Sequence, residues 1–224
     1  MLQTSTIKFL KDLKKNNNKP WFDANRKAYE AAKADFVAFV DTVIEKHGKK
    51  DPSIAHLAGK DCIFRINRDV RFSKDKSPYK TNMGAYINKD GKKAITAGYY
   101  FHCEPGGSFG GGGLYVPPPD ALKNIRQEID YNWKEFQKII SNKKFKAVFG
   151  DLSTEGDMKL ARPPKGYEAD NPAIEYLKLK SWIGVQSFSD ADLTSKDLVK
   201  KLCTNFETLQ PLLVFLNEGL HTGE

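Results

Sequence analysis

Six cationic side chains fall within sixteen residues of this sequence: Arg65, Arg68, Arg71, Lys74, Lys76 and Lys80, against the two carboxylates of Asp69 and Asp75. Arginine on a rigid element grips phosphate or carboxylate through two parallel hydrogen bonds, and lysine and hydroxyl donors strengthen the hold. The functional reading is an anion cradle built from Arg65, Arg68, Arg71, Lys76, Tyr79 and Lys80, with Asp69 or Asp75 as acid/base groups. The structural alternative is a network in which the two aspartates neutralise neighbouring arginines and lock a sheet to its helices.

The element expected to carry these groups is a strand, because Cys62–Phe72 alternates with period two. Arg65, Asn67, Asp69 and Arg71 then share one face, about 6 to 7 Å apart in steps of two. Arg68 interrupts the opposite, apolar face, which demands either a bulge or a partner for a buried charge. The loop Ser73–Thr81, with φ fixed at Pro78, can set ammonium and hydroxyl donors beside the strand.

Glu104–Phe109 followed by Gly110–Gly113 is a second place where a ligand or another backbone could approach closely, the alternative being a bend or tight packing. Gly106-Gly107-Ser108-Phe109-Gly110 fits a nucleophile-elbow pattern, but a glycine-rich strand follows the serine where a helix should. Asn67-Arg68-Asp69 lacks the remaining kinase signatures, and neither glycine run has phosphate-loop spacing. The stiff Arg162–Tyr167 loop could bring Arg162, Lys165 and Tyr167 over the cradle or be an ordinary surface connection. Tyr99 and Phe101 alternate with Tyr100 and His102, making an aromatic sheet face suited to core packing.

Around these groups the pattern is α+β. Helices are expected at Thr6–Leu13 and from Pro20 to about Lys46, then strands at 62–72, 83–88, 98–104 and 109–116, with Gly91 marking a turn. Gaps too short for helical crossovers make this a mainly antiparallel sheet of four or more strands, about 62–116 plus 181–188, packed by N-terminal and C-terminal helices. Helices are also expected at 121–140 with a break near Asn132, at Lys143–Phe149, after Asn171-Pro172, and from an N-cap at Ser195. With no linker or repeat, residues 1–224 read as a single domain.

Composition narrows the classes further. Hydrophobic residues at 40% and charged residues at 29% support a packed core rather than a disordered chain. No apolar run reaches the roughly 20 residues of a membrane span, and the polar, helical N-terminus has no secretion-signal pattern. Cys62, Cys103 and Cys203 are odd in number and lie in apolar surroundings, so reduced core thiols and a cytoplasmic location are expected. His47, His56, His102 and His221 show no metal-ligand spacing, and nothing in the sequence calls for a cofactor. Net charge is +8, and residues 60–93 hold ten Lys/Arg against four Asp/Glu, which raises the local potential toward anions.

The strings Asn16–Phe22, Phe64–Thr81, Gly98–Tyr100, Glu104–Ser108, Gly111–Leu114 and Pro164–Tyr167 together resemble a widespread microbial domain-of-unknown-function family, over about Thr6 to Leu216. The resemblance implies one globular domain and supplies neither an activity nor catalytic residues; the short tail His221–Glu224 departs from it. Function therefore rests on the residues. They point to an anionic small molecule, phosphorylated or carboxylated, with nucleic acid or an acidic protein surface as the competing partners and no membrane.

Overall fold

The computed structural model describes residues 1–156 and 158–221, and the tail residues 222–224 lie outside the described residues. Helices α1 (Thr4–Lys15), α2 (Lys19–Ala24) and α3 (Arg26–His47) come first, then a 3-10 turn and the short α4 (Gly59–Cys62). Strands β1 (Met83–Ile87), β2 (Gly98–Cys103) and β3 (Ser108–Leu114) follow, then α5 (Pro119–Tyr131), α6 (Trp133–Ile140), α7 (Lys143–Phe149) and α8 (Ile174–Leu177). Strand β4 (Trp182–Phe188), α9 (Asp190–Leu193) and α10 (Leu198–His221) complete the described chain. The four strands form one antiparallel sheet in the order β1-β2-β3-β4, so the fold is α+β. No helix of the described residues is long and apolar enough to cross a membrane.

Local chemistry explains where elements begin and stop. The Asn18 side chain accepts from the Trp21 N–H at 3.0 Å, and Pro20 sits in the first turn of α2. The long helix expected from Pro20 is divided at Asn25, whose side-chain amide donates to the Trp21 carbonyl. Residues 62–72 do not form a strand. The α4 turn ends at Cys62, and only isolated bridges, Ile63 with Ala85 and Asn67 with Tyr79, tie the following segment. Asp69 and Asp75 accept from the Arg71 and Ser77 backbone N–H groups, and such local bonds bend the chain away from a ladder. Phe72, expected on an apolar face, is 94% exposed.

The chain divides into two compact units without a linker, because their segments interleave. The first comprises residues 1–92, 100–110 and 187–204. In it Phe36 and Phe39 pack on Phe101 with ring centroids 6.1 and 5.2 Å away, and Phe22 stacks on Tyr79 at 3.9 Å. The second comprises residues 93–99, 111–186 and α10 from Asn205. Its core includes Phe136 against Phe215 at 5.3 Å, Tyr99 against Phe206 at 4.7 Å, and the buried Trp182, whose Nε1 donates to the Tyr176 carbonyl at 3.0 Å.

The glycine tract serves close backbone packing. A Cβ on Gly111 would stand 2.2 Å from the Gly184 carbonyl oxygen, and one on Gly113, at φ +132°, would stand 2.0 Å from that of Trp182. Gly166 also has positive φ but faces open space. In urea denaturation Gly113→Ala should therefore lose at least about 3 kcal/mol, against about 1 to 2 kcal/mol for Gly166→Ala.

Candidate functional site

The cationic segment is positioned by backbone pairing and by one side-chain clip. Arg68 N–H donates to the Pro78 carbonyl at 2.9 Å and Lys80 N–H to that of Ile66 at 2.8 Å, closing residues 66–80 into an irregular loop. Asn17 holds both backbone groups of Tyr79: its Nδ2 donates to the Tyr79 carbonyl at 2.8 Å, and its Oδ1 accepts from the Tyr79 N–H at 3.1 Å. With its ring buried against Phe22, Tyr79 is an anchor of the loop.

This pairing brings Arg68 and Lys80 to one open cleft of about 430 Å³, lined by Phe64, Arg68, Asp69, Lys80, Asn82, Gly84, Tyr100 and His102. All eight belong to the first unit. The Lys80 ammonium lies 5.5 Å from the Phe64 ring centre and has no hydrogen-bond acceptor or carboxylate partner among the described residues. Burial, with a smaller effect from the Arg65 charge, lowers its pKa below the ordinary lysine value. Arg68 Nη1 bonds to Asp75 and to the Ser77 carbonyl at 3.1 Å, and Nη2 to Ser73 Oγ at 3.4 Å. Its Nε–H and one Nη2 proton are left without a partner among the described residues.

Two of the lining residues, Tyr100 and His102, come from β2, and His102 links them to Glu104 just past the end of the strand. Tyr100 Oη lies 3.1 Å from His102 Nδ1, and His102 Nε2 lies 3.2 Å from Glu104 Oε2. Burial pushes the Glu104 carboxyl up, but hydrogen bonds from His102 and Thr81 outweigh it and hold the group below the usual range. An ionised carboxylate only accepts, so Nε2 carries a proton, and in the neutral imidazole Nδ1 is then the acceptor for the Tyr100 hydroxyl. The imidazole stacks on Phe109 at 4.7 Å and 11°, which fixes its plane. Ser108 Oγ accepts from the Glu104 N–H at 2.9 Å and donates to its carbonyl at 2.7 Å, so this serine locks the turn after β2.

A family profile of conserved hypothetical proteins (DUF2461) matches residues 5–215. The chain belongs to the DUF2461 family. No curated protein and no solved structure matches it.

In this DUF2461 protein the sequence-derived candidates separate. Arg68, Lys80 and Asp69 line the cleft, whereas Arg65, Arg71, Lys76, Tyr79 and Asp75 do not. Arg71 makes a two-pronged bond to Asp69, from Nε at 3.0 Å and Nη2 at 2.6 Å, and Lys76 donates to the Val70 carbonyl at 3.0 Å. Arg65 is exposed and has no hydrogen bond among the described residues. Arg162, Lys165 and Tyr167 lie in the second unit and do not line the cleft. Sequence reasoning missed Tyr100, His102 and Glu104 as a set, although period two along Gly98–Glu104 places hydroxyl, imidazole and carboxylate on one face. Among the described residues no group of three or more His, Cys, Asp or Glu is placed to hold a metal ion.

Asp75 ties the loop to Arg68. The Ser77 hydroxyl and backbone N–H, and after them Arg68, pull its carboxyl from 3.8 to about 2. A depressed carboxyl stabilises the fold above its unfolded value and loses that effect as pH falls, here between about 4 and 2. Carboxyl NMR should find the Asp75 midpoint near 2. Ser77→Ala, which keeps the backbone N–H bond, and Arg68→Ala should each move it only part of the way back toward 3.8.

Proposed function

We propose that this DUF2461 protein binds a small phosphorylated or carboxylated molecule in the cleft, with Lys80 and Arg68 as its principal donors. Lys80 carries the reading. A half-buried ammonium without an acceptor is a destabilised cation, and an incoming anion relieves that cost. Arg68, which keeps unused donors, lines the same cleft, and Arg65 adds positive potential next to Lys80. Phe64 and Tyr100 give a bound molecule apolar surface beside its charge. A cytoplasmic setting belongs to the same reading. Cys62, Cys103 and Cys203 are buried, and burial pushes the Cys62 and Cys103 thiols up to about 11 and about 12, keeping them protonated.

Inorganic phosphate and phenyl phosphate should raise the melting temperature, by an amount equivalent to about 2.7 kcal/mol at a hundredfold excess over Kd. Lys80→Ala and Arg68→Ala should abolish the shift, and binding should raise the Lys80 titration midpoint, because a nearby anion favours the charged form. No stabilisation by phosphate, phenyl phosphate or a benzoate at low ionic strength would overturn the reading.

One observation favours a second partner. Phe72 is 94% exposed, with the Arg71 guanidinium 5.7 Å from its ring centre and Lys74 beside it, an arrangement suited to stacking an unpaired base. Salt-sensitive retention of single-stranded RNA, lost in Phe72→Ala, would establish it; absence of any retention at low salt would remove it.

A further inference from the structure

The anion reading leaves one part of the cleft unused. Tyr100, His102 and Glu104 form a continuous hydroxyl–imidazole–carboxylate chain, with contacts of 3.1 and 3.2 Å, and its first two members line the cleft together with Arg68 and Lys80. The carboxylate end is fixed from several sides. Thr81 Oγ1 donates to Glu104 Oε1 at 2.9 Å, Ser108 holds the Glu104 backbone, and Lys14 lies 3.9 Å from Oε1. The hydroxyl end occupies space that only glycine leaves open, since a Cβ on Gly84 would stand 2.6 Å from Tyr100 Oη.

A nucleophile hydrogen-bonded to a base, with the base oriented by a third group, is the general design for covalent catalysis. A phenol suits it well. Its ordinary pKa of about 10 lies far nearer to the imidazole value of about 6.5 than that of an aliphatic alcohol does, so His102 needs less help to take its proton. We infer that the cleft cleaves phosphoric esters, with Tyr100 Oη as nucleophile, His102 Nδ1 as the base, and Glu104 as the residue that positions His102. Recognition of the ester rests on the anion reading, with Arg68 and Lys80 on the non-bridging oxygens.

In the first step Oη bonds to phosphorus while its proton passes to His102 Nδ1. The bond from phosphorus to the alcohol oxygen breaks, and the departing alkoxide takes that proton. Water, giving a proton to Nδ1, then attacks the phosphotyrosine; the bond from phosphorus to Oη breaks and the phenolate is reprotonated. One ester and one water become one alcohol and one phosphate product.

Benzenesulfonyl fluoride, which is uncharged, tests the nucleophile apart from the anion site: an Oη–S bond forms, the S–F bond breaks, fluoride leaves, and His102 takes the proton. Peptide mass analysis should show Tyr100 labelled about 100-fold faster than Tyr131, which is 74% exposed and serves as a comparator on the same molecule. His102→Gln, or His102→Asn where Gln disturbs folding, should drop Tyr100 to the Tyr131 rate and leave Tyr131 unchanged. Glu104→Ala should slow Tyr100 and, in nitrogen NMR of His102, replace the single Nε2–H tautomer by a mixture, a signature that general loosening would not give.

With para-nitrophenyl phosphate and its bis ester as separate arms, nitrophenolate release and a phosphoryl group on Tyr100 are expected from at least one, both lost in Tyr100→Phe. The arm that reacts identifies a monoester or a diester substrate. The inference is overturned if Tyr100 labels no faster than Tyr131, if His102 replacement leaves its rate unchanged, or if neither ester phosphorylates Tyr100. Fast labelling without any phosphate-induced stabilisation would sink the anion reading alone, and the converse result would sink the nucleophile alone.

Discussion

The site depends on a single clip, the pairing of the Asn17 side-chain amide with both backbone groups of Tyr79. Residues 63–82 have no regular ladder of their own, so their course is set by a few bonds in which each donor matters. Asn17 supplies two, worth about 1 kcal/mol each in net terms and more if their loss left buried groups bare. Tyr79 adds its ring, stacked on Phe22, and so ties the loop to α2, whose N-terminus is itself capped by Asn18. From that fixed point the bonds from Lys80 to Ile66 and from Arg68 to Pro78 follow, and they bring two cations to one cleft. The run Asn16-Asn17-Asn18 therefore does more than stop α1: one residue caps the next helix and another clips a loop more than sixty residues away.

How far this was legible in the sequence depended on the signal. Helix α7, the break between α5 and α6 at Asn132, and strand β4 follow from periodicity and punctuation, because their local preferences agree with their packing. Of the alternatives the sequence leaves open for the glycine tract, the structure shows approach of another backbone, since Gly111 and Gly113 have no room for a side chain. The 62–72 segment misleads because its alternation is genuine but its polar residues bond locally. Asp69 and Asp75 satisfy nearby N–H groups that a strand would have offered to a neighbour. The split between α2 and α3 has the same origin in Asn25.

The site shows a parallel division. Charge density marks the cluster that holds Arg68 and Lys80, but it cannot tell these two, which line the cleft, from Arg71 or Lys76, which bond to Asp69 and to a backbone carbonyl. That distinction depends on which acceptors the loop brings within reach. Tyr100, His102 and Glu104 add little to any charge count, and an aromatic strand invites a core assignment. Tyr99, Phe101 and Cys103 do fill buried positions. The intervening residues turn to the other face, so one strand serves the interior and the cleft at once.

The two halves of the cleft also differ in how firmly they are held. The Tyr100–His102–Glu104 chain rides on a sheet strand, with the imidazole stacked on Phe109 and the carboxylate fixed by Thr81, so its geometry is built in before any ligand arrives. Arg68 and Lys80 come from an irregular loop and are only partly committed. Arg68 is not locked in place, because Asp75, its carboxylate partner, is held chiefly by Ser77 and would not be stranded if the guanidinium moved. Removing one partner from a buried ion pair is costly, whereas loosening an exposed pair whose carboxylate keeps other donors is not. The cleft thus joins a hydroxyl, imidazole and carboxylate held in one line with two cations whose side chains keep freedom to move.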